Sequence, residues 1–130
     1  MTQDYHRLEI WNRAMDDVVS VYQFTASLPE DEKYNLTSQL RRAATSAPLN
    51  ISEGSSSATN TEFARFLGYA YRSLKETVTA LELCQRLHLS EDRNSIGNLI
   101  EEGNQISRMI HSLIQKIGRT ESRGVTTHNS

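Results

Sequence analysis

The chain has 130 residues, 14 lysines and arginines against 16 aspartates and glutamates for a net charge of −2, and one cysteine, Cys84. That length suits a single domain with its own core, and the charge gives no global positive field for nucleic acid or anionic lipid. A lone cysteine excludes an internal disulfide, and no run has the roughly 20 apolar residues of a membrane span or the apolar core of a signal peptide, so the expectation is a cytoplasmic domain with no membrane contact.

The first predicted helix covers about 8–28 and ends at Pro29. Trp11, Met15, Val18 and Tyr22 form one apolar stripe, and Ile10, Ala14, Val21, Phe24 and Leu28 form a second beside it. Together the stripes cover roughly 200°, more than a helix facing only its own core needs, which points to further burial against another subunit. Residues 1–34 hold seven acids, among them Asp16 and Asp17, against three bases.

The second predicted helix covers 36–53, with Asn35 as N-cap and a seam of Leu36, Leu40, Ala43, Ala47 and Ile51. Alanine at its centre admits a close neighbour. Pro48 predicts a kink, because it lacks an N–H and crowds the carbonyl four residues back. Asn50 and Ser52 are candidates to bond the freed backbone groups, and Gly54 is the expected stop before a serine-rich loop.

The third predicted helix covers 61–88, with Phe63, Leu67, Ala70, Leu74, Val78, Leu81 and Cys84 or Gln85 on its seam, and Ala80, Leu83 and Leu87 widening the apolar face toward its end. The fourth covers 91–118, capped by Ser90 with Glu91 and Asp92 in its first turn. Its seam is Ile96, Leu99 or Ile100, Gly103, Ile106, Ile110, Leu113 and Ile117; the glycine on it costs about 1 kcal/mol relative to alanine and implies close approach of another helix. Residues 121–130 have little to bury and read as a disordered tail.

A di-iron bundle needs Glu-x-x-His pairs on facing helices, and none is present. Cys84 and His88 have an i, i+4 spacing but no third ligand, so core cysteine and helix-end histidine is the ordinary reading. The Gly54–Ser57 run lacks the glycines and lysine of a phosphate loop. No catalytic residue, metal site or cofactor is expected.

Basic residues offer the remaining function signal. Arg65, Arg72, Lys75 and Arg86 fall within an arc of roughly 80° on the third helix, opposite its seam. Arg108, Lys116, Arg119 and Arg123 align on the fourth, while Arg41 and Arg42 flank the seam of the second on opposite sides. Such stripes suit phosphate backbones; equally, they are ordinary solvated faces, since Glu62, Glu76 and Glu82 flank the first and no aromatic residues alternate with it.

Leu8–Tyr22 (LEIWNRAMDDVVSVY), Leu36–Gly54 (LTSQLRRAATSAPLNISEG) and Glu62–Glu76 (EFARFLGYAYRSLKE) resemble the 23S rRNA intervening-sequence protein family, itself similar to the Avd accessory proteins of diversity-generating retroelements. The most specific pieces are Gln39-Leu40-Arg41-Arg42-Ala43 and Asn50-Ile51-Ser52-Glu53-Gly54. The resemblance implies a four-helix bundle, assembly into a homopentamer and no known catalytic residues. It further implies a role near RNA or a nucleoprotein enzyme, since genes of the family lie within ribosomal RNA gene insertions and the Avd relatives assist a reverse transcriptase.

The sequence therefore predicts an all-α, antiparallel up-down-up-down four-helix bundle over 1–120, and the resemblance makes it a ring-forming protomer. Expected partners are further copies of itself and RNA or a nucleoprotein, with nucleic-acid contacts at Arg41, Arg42, Arg65, Arg72, Arg108 and Arg119. The alternative is a protein–protein interaction scaffold that binds no nucleic acid, its arginines pairing with the acidic first third of a neighbouring protomer.

Overall fold

The protein, as a computed structural model, is described over residues 4–129, with side chains over 4–118. Four α-helices, α1 (Glu9–Thr25), α2 (Leu36–Ser55), α3 (Asn60–Arg86) and α4 (Arg93–Asn129), account for nearly all of it, and no strand occurs among the described residues. The expected tail at 121–130 falls where side chains lie outside the described residues.

Two apolar clusters stack along the bundle. Val21, Phe24 and Leu28 from the end of α1 and beyond meet Leu36 and Leu40 at the start of α2, Leu81 and Cys84 at the end of α3, and Ile96 and Leu99 at the start of α4. The second cluster joins the opposite halves: Ile10 and Ala14, Ala47 and Ile51, Phe63 and Leu67, Ile106 and Ile110. Ends paired in this way require successive helices to alternate in direction. Helix α3 contacts α2 and α4 most extensively, and α1 lies diagonally across from it, packed on α2 and α4.

Local chemistry at the helix ends differs in part from the sequence expectation. Asn35 holds the N-cap position of α2, but its amide donates to Glu32 Oε1 (3.3 Å) and makes no capping bond. Thr59 caps α3 by accepting from the Glu62 N–H (3.1 Å). The cap of α4 is Asp92, whose Oδ1 accepts from the Ser95 N–H (3.0 Å); the expected cap, Ser90, precedes the helix and receives only the Asp92 N–H. His88 ends α3 at φ 54°, the left-handed position that usually favours glycine, with Leu89 N–H bonded to Cys84 O (3.1 Å) and His88 N–H to Gln85 O (3.2 Å).

Pro48 is buried inside α2, and the helix runs on to Ser55. Asn50 and Ser52 donate to the carbonyls of Ser46 (2.9 Å) and Leu49 (3.0 Å), not to that of Ala44, the group Pro48 leaves without its usual donor. Gly54 likewise serves a different purpose from the expected one. It sits within α2 at negative φ, and a Cβ there would lie 2.8 Å from Phe66 Cβ and 3.0 Å from Phe63 Cδ1. Its lack of a side chain is what lets α2 and α3 close at their shared turn. Gly103 fits its expectation: a Cβ would meet Val78 Cγ2 of α3 at 2.7 Å.

These glycines give a stability prediction. Gly54→Ala should destabilise by about 1–3 kcal/mol, because Phe66 Cβ cannot swing away. Gly97→Ala, in open space on α4, should stabilise by up to about 1 kcal/mol through helix propensity alone. Urea midpoints of the two variants moving in the same direction would contradict the packing argument.

Candidate nucleic-acid interface

The candidate arginines separate into three environments. Arg41 is half-buried against α1, its Nε donating to Thr25 Oγ1 (2.8 Å) and its guanidinium lying 4.5 Å from the centre of the Tyr22 ring. Arg42 is exposed. The sequence put these two on opposite sides of the α2 seam, but both line one open groove of about 510 Å³ with Tyr22, Thr45 and Leu49. Adjacent helical residues are about 100° apart, and long side chains easily span that angle.

Arg65 is paired with Glu62 and lies over the Phe66 and Tyr69 rings, at 5.2 and 5.8 Å. Arg72 is exposed and makes no ion pair with a described residue. Arg108 reaches Glu101 at 3.3 Å, an exposed contact that solvent screens heavily. The side chain of Arg119 lies outside the described residues, so its place in the stripe does as well.

Between α3 and α4, a groove of about 340 Å³ gathers Tyr71, Lys75, Ser107, Arg108, His111 and Ser112. No carboxylate lines it. Lys75 Nζ lies 5.7 Å from the Tyr71 ring centre, and the Tyr71 and His111 rings are 6.1 Å apart. Aromatic residues therefore do accompany the basic stripe, which corrects the sequence reading. His111 was missed, although two i, i+4 and i, i+3 relations, Tyr71 to Lys75 and Arg108 to His111, carried the signal.

A second groove, of about 560 Å³ between α1 and α4, has the opposite character. Asp16, Asp17, Asp92 and Glu102 line it. Arg13 is committed to Glu102, with Nη2 2.8 Å from both carboxylate oxygens, and also donates to Gln105 Oε1 (2.7 Å). Asp17 is only 3% exposed. No described residue donates to it, and burial, then the charge of Glu102, pushes its pKa up to about 7.

Elsewhere, Cys84 is buried and its thiol pushed up to about 11 by desolvation, the reverse of an activated nucleophile. No group of histidine, cysteine and acid side chains among the described residues is arranged to hold a metal ion. No helix among them is long and apolar enough to cross a membrane.

An all-helical bundle with basic grooves along α1–α2 and α3–α4, an acidic groove along α1–α4, and no assembled catalytic group among its described residues, defines the class. Residues 6–112 match the family model for the 23S rRNA-intervening sequence protein, and the chain belongs to that family. A protein of unknown function from the S23 ribosomal protein family of Bacteroides thetaiotaomicron VPI-5482 has a similar fold. Its crystal structure gives a TM-score of 0.72 at 22% identity, over 81% of this chain and 97% of that one. No curated protein matches the chain.

Asp17 yields a pH prediction. Its raised folded pKa means that between about pH 4 and 7 the folded chain holds a proton that the unfolded chain has released. The associated stability is present at low pH and lost as pH rises through 7. Asp17→Asn should match the wild type near pH 4 and exceed it at pH 8 by roughly 2–4 kcal/mol. Urea unfolding of both proteins at the two pH values measures the difference, and an equal gap at both would contradict it.

Proposed function

We propose that this chain is a non-enzymatic, homo-oligomeric module that accompanies RNA or a nucleoprotein complex, with the RNA backbone lying across α3 and α4. One observation carries the reading: Lys75 and His111 flank Tyr71, with Arg108 in the same groove and no carboxylate in its lining. Arg72, exposed on the same helix as Lys75 and without an ion pair to any described residue, extends the basic surface along α3. Lysine and arginine neutralise phosphates, and an aromatic ring beside them offers a face for an unpaired base. Membership in a family named for a ribosomal RNA intervening sequence supports the same direction.

The outward apolar side of α1 supports self-association. Val19 and, on α2, Leu49 are 57% and 63% exposed, and Met15 and Tyr22 are also exposed nearby in sequence and fold. The inner stripe (Ile10, Ala14, Val21 and Phe24 of α1, with Leu28 just beyond it) is buried, and of the second stripe Trp11 and Val18 are half-buried against the core while Met15 and Tyr22 are exposed, so part of the excess apolar width faces outward. The homopentamer implied by the family resemblance would use this surface.

Two experiments test the reading. In an anisotropy titration against structured ribosomal RNA, Lys75→Ala with Arg108→Ala should weaken binding about tenfold or more and reduce the salt slope by about 2, with secondary structure unchanged. Binding unchanged in the double variant, or absent from the wild type at physiological salt, would leave a protein scaffold as the better reading. For assembly, light-scattering mass should exceed that of one chain and resist salt, and Leu49→Glu should lower it; a wild-type monomer would overturn self-association.

A further inference from the structure

The acidic groove between α1 and α4 has features that solvation of surface carboxylates does not explain. Asp17 occupies a helix position facing the core, is almost fully buried, lines the groove, and lacks a donor among the described residues. With no protein donor, the Asp17 carboxyl meets solvent only through the groove, and holding it ionised there is costly. The cation within reach, Arg13, is bound to Glu102 and Gln105 instead.

The groove is long, and its acids sit at both ends. Because α1 and α4 run antiparallel, Asp16, Asp17 and Glu102 share one end, while Asp92 lies at the other beside Ser27. From Asp92 to Glu102 is ten residues of helix, about 15 Å at the standard rise. Between the ends the lining is uncharged, with Phe24 and Leu99 supplying an apolar floor. Carboxylates so far apart cannot converge on one metal ion, which needs several oxygens at about 2.5 Å or less. They suit a ligand that carries separate positive charges on an apolar stem.

We propose that the α1–α4 groove binds a linear aliphatic polyamine, one terminal ammonium meeting Asp17 beside the Arg13-bound Glu102, the other meeting Asp92, with the methylenes crossing Phe24 and Leu99 and an inner ammonium facing the polar lining of Ser20, Gln23, Ser95 and Asn98. The bound ammonium supplies Asp17 with the donor and counter-charge it lacks. Because this charge favours the carboxylate, binding near pH 7 releases a proton from Asp17; Arg13, Asp16, Glu102 and Asp92 are the other charged groups around the groove. A lysine side chain from another polypeptide carries the same ammonium, but only one, and leaves the far end unmatched.

Calorimetry of the intact protein with spermidine at low ionic strength tests this site independently of RNA binding. At pH 8 the expected result is saturable binding at one site per chain, weakened tenfold or more by Asp17→Asn and by Asp92→Asn, which keeps a capping side chain at α4. Glu82→Gln, on exposed α3 diagonally across the bundle, should change affinity less than twofold. At pH 7 the heat should depend on the ionisation enthalpy of the buffer in the wild type but not in Asp17→Asn. Absence of saturable heat, or equal weakening by Glu82→Gln, would overturn the proposal. A scattering mass that falls in Asp17→Asn while spermidine gives no heat would also overturn it, assigning the groove to a neighbouring chain's cation.

Discussion

The close contact of α3 with both α2 and α4 governs the rest of the architecture. It depends on the absence of side-chain atoms: Gly54 against Phe63 and Phe66, and Gly103 against Val78. Between these points Ala43, Ala44 and Ala47 are buried, and the Ser73 hydroxyl bonds the Ser46 hydroxyl at 2.8 Å across the α2–α3 seam. Helices held this closely leave little freedom to slide, so the outward face of α3 has a fixed relation to α4. Lys75 and Arg108 share a groove for that reason.

The opposite side of the bundle is built on looser terms. Contact between α1 and α4 is the least extensive of the four adjacent helix pairs, and the polar and acidic side chains facing it leave an open trough. Helix α4 thus presents acids toward α1 near its start and bases toward α3 further along. The net charge of −2 describes neither surface. Local potentials, set by which residues share a groove, decide what each surface attracts.

Much of the bundle was legible because burial follows helical period. Phe63, Leu67, Ala70, Leu74, Val78, Leu81 and Cys84 on α3 are buried, as are Ile96, Leu99, Gly103, Ile106 and Ile110 on α4; Leu113 and Ile117 further along α4 are half-buried, and Leu83, Gln85 and Leu87 at and just beyond the end of α3 are exposed. The misread ends share a cause: several polar residues in a row compete for one cap, and the winner depends on where the chain enters the bundle, which left Asp92 rather than Ser90 at the start of α4. Gly54 was read through backbone freedom, whereas its use is steric and depends on residues of the next helix. Asp17 was counted only among the acids of the first third. Its spacing from Ile10 (i+7) and to Val21 (i+4) already placed it on the core face, and the conflict between charge and position was the available signal. The grooves themselves depend on which helices become neighbours, and no single helical wheel contains that.

The two grooves are joined by side chains, yet those side chains transmit little energy. Arg13 donates to Gln105, Gln105 to Glu101 at 3.3 Å, and Arg108 to the same Glu101 oxygen at 3.3 Å, forming a path across α4 from the acidic trough to the basic one. Its outer members are exposed, and each such pair is worth about 0–1 kcal/mol before salt reduces it. A rearrangement at Asp17 or Glu102 would be absorbed by Arg13, whose bidentate bond to Glu102 is the stronger and more buried element. Occupation of one groove should therefore leave affinity at the other nearly unchanged at physiological ionic strength. Coupling between them would need a shift of α4 as a body, and the contact of Gly103 with Val78 opposes that movement.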